Sequence, residues 1–266
     1  MARIDLKGKP IAITGASSGI GGATAVACAK AGMPVALAAR RTDKLDALVS
    51  LIKSDGGEAI AVACDVTKPD DCARLVDETA SAFGSIYGVF ANAGFGEKHD
   101  LLEMPEQNLR EMFEVNFFGT INTIRPAIEQ MKPNKSGHVL ICTSCLSALP
   151  SPGYSIYSAT KSAQHHIGRA LGVELENFGI EVTTVHPVRT RTEFFDTMQE
   201  RQGTERSPAK KDKGQLPEFV ARRVLSALRN PRPEVWMSEP ARRGFLIAAH
   251  LPRFTNRLLR DRYNQS

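Results

Sequence analysis

Seven short apolar runs punctuate the chain: Ile11–Thr14, Val35–Ala39, Ala59–Ala63, Tyr87–Ala91, His138–Thr143, Val182–His186 and Glu234–Trp236. Each is strand-sized, and most are too continuously apolar for a strand with one face in water. Longer segments of helical character lie between them, beginning with the small-residue stretch Ala23–Ala31. Strands alternating with helices predict right-handed βαβ crossovers and a parallel sheet covered on both faces. No internal repeat or linker interrupts the pattern, so one α/β domain is expected: a body over residues 1–240 and a helical extension of it over 241–266.

Two segments depart from that rhythm. Thr192–Gln215 is the least regular, with Gly203, Pro208 and the run Lys210-Lys211-Asp212-Lys213-Gly214. On composition alone it reads as a solvated surface loop. In the extension, Pro252 fits the start of a second short helix, in which Phe254 and Leu258 fall four apart with Leu259 alongside. Arg253, Arg257 and Arg260 draw a basic stripe beside that apolar one. Such a helix packs on the body or on a partner copy, or else rests as a peripheral contact on anionic lipid, and the lipid alternative predicts weak, salt-reversible binding.

Composition narrows the class. The 266 residues are 42% hydrophobic, enough for a full core. No secretory signal pattern precedes the first strand, and Phe245–Leu251, interrupted by His250, is too short to span a bilayer. The five cysteines, an odd number, favour reduced thiols and a cytoplasmic protein. Cys142-Thr143-Ser144-Cys145 spells a redox or metal motif, yet no second Cys or His pair accompanies it, so strand-end packing is the reading and no metal is expected. Residues 201–266 hold 15 Lys/Arg against 6 Asp/Glu, while residues 1–200 hold 19 against 23, so the net charge of +5 belongs to the C-terminal part. With no recognised nucleic-acid motif and no aromatic-interleaved basic patch, nucleic acid is not an expected partner.

Two constellations carry chemistry. Thr14-Gly15-Ala16-Ser17-Ser18-Gly19-Ile20-Gly21 follows the first strand and opens a helix, the context of a phosphate-binding turn. Gly15 permits the tight turn, and Gly19 and Gly21 are expected to let backbone and helix amino end approach a diphosphate. Tyr157 and Lys161 stand four apart on one helix, one turn from each other. An ammonium there is expected to draw the phenol pKa down from about 10 toward a usable general acid/base. Tyr154 rivals Tyr157 but lacks that lysine, and Ser147 rivals Ser144, which lies thirteen residues before Tyr157. His165, His166 and His186 read as packing or interface residues.

With Asp65-Val66 after the third strand, Asn92-Ala93-Gly94 after the fourth, then Asn116, Ser144, Tyr157, Lys161 and Pro187 in order, the chain resembles the short-chain dehydrogenases/reductases from residue 8 to about residue 236. The resemblance implies a doubly wound, Rossmann-type sheet of seven strands in the order 3-2-1-4-5-6-7, with ligand at the strand carboxyl ends. It implies hydride transfer between a nicotinamide and a carbonyl or alcohol. Tyr157 is then the proton donor and Ser144 orients the carbonyl oxygen. Lys161 holds the nicotinamide ribose, and Asn116 keeps a water-linked relay through a helix backbone. Residues 192–215 become a substrate lid.

For the cofactor, it implies contacts from Ser17, Ser18 and Ile20 in the glycine turn. Asp65 accepts from the adenine amino group with Val66 against the ring, and Asn92, Ala93 and Gly94 lie beside the ribose. Ala39 stands where NAD-using relatives carry Asp, and Arg40 and Arg41 follow. That charge logic favours NADP(H), with Arg40 as the 2′-phosphate partner. At the nicotinamide end the family's usual Pro-Gly-x-Val-x-Thr reads Pro187-Val188-Arg189-Thr190-Arg191-Thr192, with Val188 in place of Gly. Thr190 and Thr192 remain candidate contacts, and Thr192 matches the position that binds the carboxamide. The family further implies a homodimer or tetramer through Asn108–Met131 and Tyr157–Glu176, where Ala159, Ala163, Gly168, Ala170 and Gly172 allow close packing.

Two alternatives remain. One is a 3-oxoacyl-carrier-protein reductase, although the extension beyond Trp236 suits enzymes of bulky apolar substrates better. The other is a regulator that binds NADP(H) without turnover.

Overall fold

A computed structural model describes residues 3–202 and 214–263 of the chain. Seven parallel strands form one sheet: β1 (Ile11–Thr14), β2 (Val35–Ala39), β3 (Ala59–Ala63), β4 (Gly88–Ala91), β5 (Gly137–Cys142), β6 (Ile180–His186) and β7 (Glu234–Trp236), in the order β3-β2-β1-β4-β5-β6-β7. The unbroken apolar runs have their cause here, because β1, β4 and β5 are buried along their whole length.

Alternate residues feed two cores. Ile11, Ile13, Val35, Leu37 and Phe90 face the layer of α1 (Gly19–Lys30), α2 (Thr42–Ser54) and α8 (Pro217–Arg229), which contribute Cys28, Leu45, Val224 and Leu228. Ala12, Ala36, Val89, Val139 and Ile141 face the layer of α3 (Pro69–Phe83), α5 (Gly119–Met131) and α6 (Ser155–Glu174), which contribute Leu75, Ile124, Met131 and Leu171.

The helix before α5 departs from regularity. α4 (Glu106–Phe113) runs into a π-helical turn, Glu114–Phe118, and then into α5 without a break. The irregular segment after β6 begins as α7 (Phe194–Gln202), while residues 203–213 lie outside the described residues. Its two ends are pinned by a parallel bridge between Thr190 and Gln215. The extension forms α9 (Glu239–His250) and α10 (Pro252–Tyr263), the latter starting at Pro252 as the pattern suggested, although the side chain of Leu258 is outside the described set. No described helix is long and apolar enough to cross a membrane.

Candidate active site

The order 2-1-4 makes the carboxyl ends of β1 and β4 the point where the sheet's winding reverses, and a crevice opens there. Asn92 closes its floor: Nδ2 donates to the Thr14 carbonyl at 3.0 Å and the Asn92 amide donates to Thr14 Oγ1 at 3.1 Å. Gly15 turns the chain with φ +65°, and a Cβ there would lie 2.9 Å from the Ala93 backbone. Gly19, also left-handed at φ +57°, opens α1, whose first amides lack intrahelical acceptors. Gly21 is buried, and a Cβ there would come within 2.4 Å of the Gly15 carbonyl, so its smallness lets the helix pack on the turn.

Beyond β2 the cationic pocket is built from Arg41 and Lys44. Arg41 donates to Ser17 Oγ at 2.9 Å and Ser18 Oγ at 3.1 Å, tying the guanidinium to the glycine turn. Arg40, the expected phosphate partner, is exposed and makes no hydrogen bond or ion pair among the described residues. A carboxylate already sits on the cations: Glu193 contacts Lys44 Nζ at 2.7 Å and Arg41 Nη1 at 2.8 Å. Lys44 first and Arg41 second hold its carboxyl down to about 2. Asp65 is partly committed, its Oδ1 accepting from the Thr67 amide and hydroxyl. Gly119 leaves space for Val66, since a Cβ there would meet Val66 Cγ2 at 2.6 Å.

At the other end of the crevice, α6 carries Tyr157 and Lys161 one turn apart. Ser144 caps the turn after β5, accepting from the Leu146 amide at 3.1 Å, and its hydroxyl lies beside the Tyr157 phenol. Burial raises the phenol pKa, and the neighbouring Ser144 hydroxyl offsets part of that rise. The expected lowering by Lys161 is not realised: desolvation sets the direction, and Lys161 is not among the groups that shift the phenol. Lys161 is itself buried and pulled down to about 8 by desolvation, with Nζ donating to the Cys142 carbonyl at 2.9 Å.

Asn116 sits in the π turn, fully buried. Its side chain pairs with the Phe95 backbone in both directions at 2.9 Å, and donates to Thr160 Oγ1 at 3.1 Å. Its carbonyl accepts from Thr120 Oγ1 at 2.8 Å and Gln164 Nε2 at 2.6 Å. Two donors thus engage this carbonyl. Asn116 also fixes the Gly94–Phe95 loop against α6. Gly94 is indispensable to that arrangement: a Cβ there would lie 2.9 Å from Asn116 Oδ1 and 3.4 Å from Lys161 Nζ.

The nicotinamide-side segment tolerates its unusual residue. Val188 has no positive φ and packs against the first core, so its branched side chain needs no strained backbone. Pro187 accepts from the Cys145 amide at 2.8 Å, and Thr190 is buried with its hydroxyl on the Val188 carbonyl. Thr192 caps the Phe194 amide and presses its methyl against Gly19, where a Cβ would come within 2.9 Å. Phe194 meets the Tyr157 ring edge-on at 5.7 Å, in space that Gly96 leaves free.

The family model described as short chain dehydrogenase matches residues 9–203. The chain belongs to the short-chain dehydrogenase/reductase family. It is 35% identical over 230 residues to an uncharacterised oxidoreductase of Listeria innocua, covering 85% of this chain and 92% of that one. It is 34% identical over 180 residues to a 3-oxoacyl-[acyl-carrier-protein] reductase of Staphylococcus epidermidis, or 67% and 74% of the two chains. Among solved structures it is similar to an alcohol dehydrogenase of the archaeon Thermococcus sibiricus complexed with 5-hydroxy-NADP, at 28% identity and a TM-score of 0.76 over 86% of this chain and 95% of that one. The protein is thus an oxidoreductase of the NAD(P)-dependent kind, and the glycine turn that opens α1, whose N-terminus has no side-chain cap, suits a diphosphate.

Several residues of this short-chain dehydrogenase/reductase escaped the sequence reading. Lys44 lies in the first turn of α2 and carries no motif, although a cation there, just after Arg40-Arg41, was a usable signal. Glu193 and Gln164 gave none, because their partners are about 150 and 45 residues away. His186 proves structural, as expected: its Nδ1 meets Thr143 Oγ1, Ser147 Oγ and the Ser144 carbonyl at 3.0–3.2 Å. His165, His186 and Glu234 gather close enough to suggest a metal, but Arg169 and Trp236 already take the carboxylate at 2.6 and 2.8 Å, which makes the cluster an ion-paired wall. Cys142 and Cys145 have pKa values raised by burial, which suits packing and not redox chemistry.

Proposed function

We propose that the protein is an NADPH-dependent oxidoreductase that interconverts an apolar carbonyl compound and its alcohol. The observation that carries this is Tyr157 and Lys161 one turn apart on α6, with Lys161 Nζ 5.8 Å from the phenol ring and the Ser144 hydroxyl beside it. The reduced nicotinamide, when bound, supplies the hydride. Ser144 holds the carbonyl oxygen, Tyr157 gives it the phenolic proton, and Lys161 stabilises the phenolate left behind. A phenol kept protonated by burial is the correct form for reduction at neutral pH. Preference for NADP(H) is supported by Arg41 and Lys44 beside the glycine turn, with Ala39 in place of an acid. An apolar substrate is supported by Phe194 on Tyr157.

Reduction of 3-oxoacyl-carrier-protein is the second reading, favoured by the similarity to the Staphylococcus epidermidis enzyme. Against it stand α9 and α10, which continue the chain past β7. The working unit is a homodimer at least, through the outer faces of α4–α5 and α6, where Phe118 and Val173 are 45% and 74% exposed. Gly168 does not belong to that face, since it packs on Thr184 of its own sheet. Free thiols at all five cysteines suit a reducing compartment such as the cytoplasm. The deciding experiment is NADPH and NADH consumption against ketones and aldehydes graded by apolar size. Turnover with NADPH that rises with substrate size is expected; binding without turnover on any carbonyl would leave only the regulator.

A further inference from the structure

Glu193 links the cations beside the glycine turn to the start of α7. Its carboxylate bridges Lys44 Nζ and Arg41 Nη1, and Arg41 in turn holds Ser17 and Ser18. Its backbone carbonyl accepts from the Thr197 amide at 2.8 Å, so the same residue starts α7. The residue before it, Thr192, lies against Gly19, and the residue after it, Phe194, lies on Tyr157. A carboxylate and a phosphate present the same oxygen acceptors to a guanidinium and an ammonium. One pair of cations cannot fully satisfy both.

We propose that Glu193 is a specificity-determining residue: it is an internal occupant of the 2′-phosphate subsite, and a 2′-phosphate must displace it, lifting the first turn of α7 from the glycine-rich turn. This rests on the NADP(H) reading above. A phosphate with about −1.5 to −2 charge outcompetes a single carboxylate for the same two cations. A ribose 2′-hydroxyl offers no such competition and leaves Glu193 where it is. The cofactor's phosphate is thereby sensed at Phe194, over the catalytic phenol, through one residue. Selectivity arises from a displaced internal anion as well as from the attraction of Arg41 and Lys44.

The test uses adenosine 2′,5′-bisphosphate and 5′-AMP as probes, with calorimetry on the native protein and on Glu193→Gln and Glu193→Ala. Both variants alter a half-exposed side chain, so the fold should be kept. Binding of the bisphosphate is expected to tighten about three- to tenfold in each variant, with 5′-AMP unchanged. In the native protein, amide exchange over Phe194–Gln202 should rise when the bisphosphate binds and stay constant with 5′-AMP. Unchanged or weaker bisphosphate binding in the variants overturns the proposal, as does exchange that falls or stays constant. If the native protein discriminates the two nucleotides but the variants gain nothing, this inference alone fails. If neither form discriminates them, the NADP(H) reading fails and takes this inference with it.

Discussion

In the proposed mechanism the proton comes from the phenolic oxygen of Tyr157. Tyr157→Phe keeps the ring, its contact with Phe194 and its place on α6. The variant should lose about 10²–10⁴-fold in kcat while binding NADPH as the native protein does, measured by steady-state rates and fluorescence titration. Lys161 adds a pH limb. Its folded pKa of about 8 lies below the ordinary 10.5. The unfolded chain therefore holds that proton over the window from about 8 to 10.5, so this group's contribution to stability rises with pH there. Activity runs the other way, because the ammonium is lost above about 8. kcat/KM for reduction should fall above that pH, and Lys161→Arg should move the fall upward; a flat profile to pH 10 would contradict the assignment. On the cofactor side, Arg41→Ala should weaken NADPH binding by about 1.5–3 kcal/mol and spare NADH, whereas Arg40→Ala should change neither appreciably. Adjacent arginines are indistinguishable in a sequence. Only the folded turn shows which of them reaches Ser17.

Among the elements, α7 is held at both ends by charge. Glu193 anchors its start, and Arg201 near its end pairs with Glu97 and Glu111 while lying over the Phe95 ring at 4.3 Å. Glu97 is fully buried, with Asn108 and His99 as its other partners. Arg201→Ala leaves that carboxylate poorly compensated, and should cost about 1–3 kcal/mol of stability, discounted for the partial exposure of the arginine, in denaturant titration. It should also raise KM for an apolar carbonyl more than it lowers kcat, since Phe194 is then loosely placed. The strands were legible in the sequence because burial on both faces leaves apolar runs such as Val35–Ala39 with no polar interruption. α7 was not, because the partners of Phe194, Arg201 and Glu193 lie in β4's loop, α4, α6 and α2, far away along the chain. The π turn at Glu114–Phe118 also left no trace, since one extra residue in a helix does not disturb a hydrophobic pattern enough to be seen. Asn116 was expected from the motif, yet its carbonyl's bonds to Thr120 and Gln164 could be learned only from the fold.

At the scale of the whole molecule, a near-neutral body carries a basic end, and the two helices of that end differ. α9 is docked through Phe245, which lies against Trp236 and His165. α10 leaves Phe254 54% exposed beside Arg253 and Arg257, both exposed. For the second helix we expect weak binding to anionic vesicles at low salt that is reversed at high salt and lost on deleting Pro252–Ser266; equal co-sedimentation of the two forms would leave only packing. The docking of the first helix has an optical consequence. Trp236, the single tryptophan of the chain, is layered between the His186 ring at 4.0 Å and the Phe245 ring at 6.0 Å. His186 is bonded to the carbonyl of Ser144, so one fluorophore is wired to the catalytic loop on one side and to the C-terminal helices on the other. The emission of this protein is therefore a built-in, label-free gauge, in which detachment of the terminal helices shows as a red shift while a shift of the serine loop reaches the same indole through an imidazole.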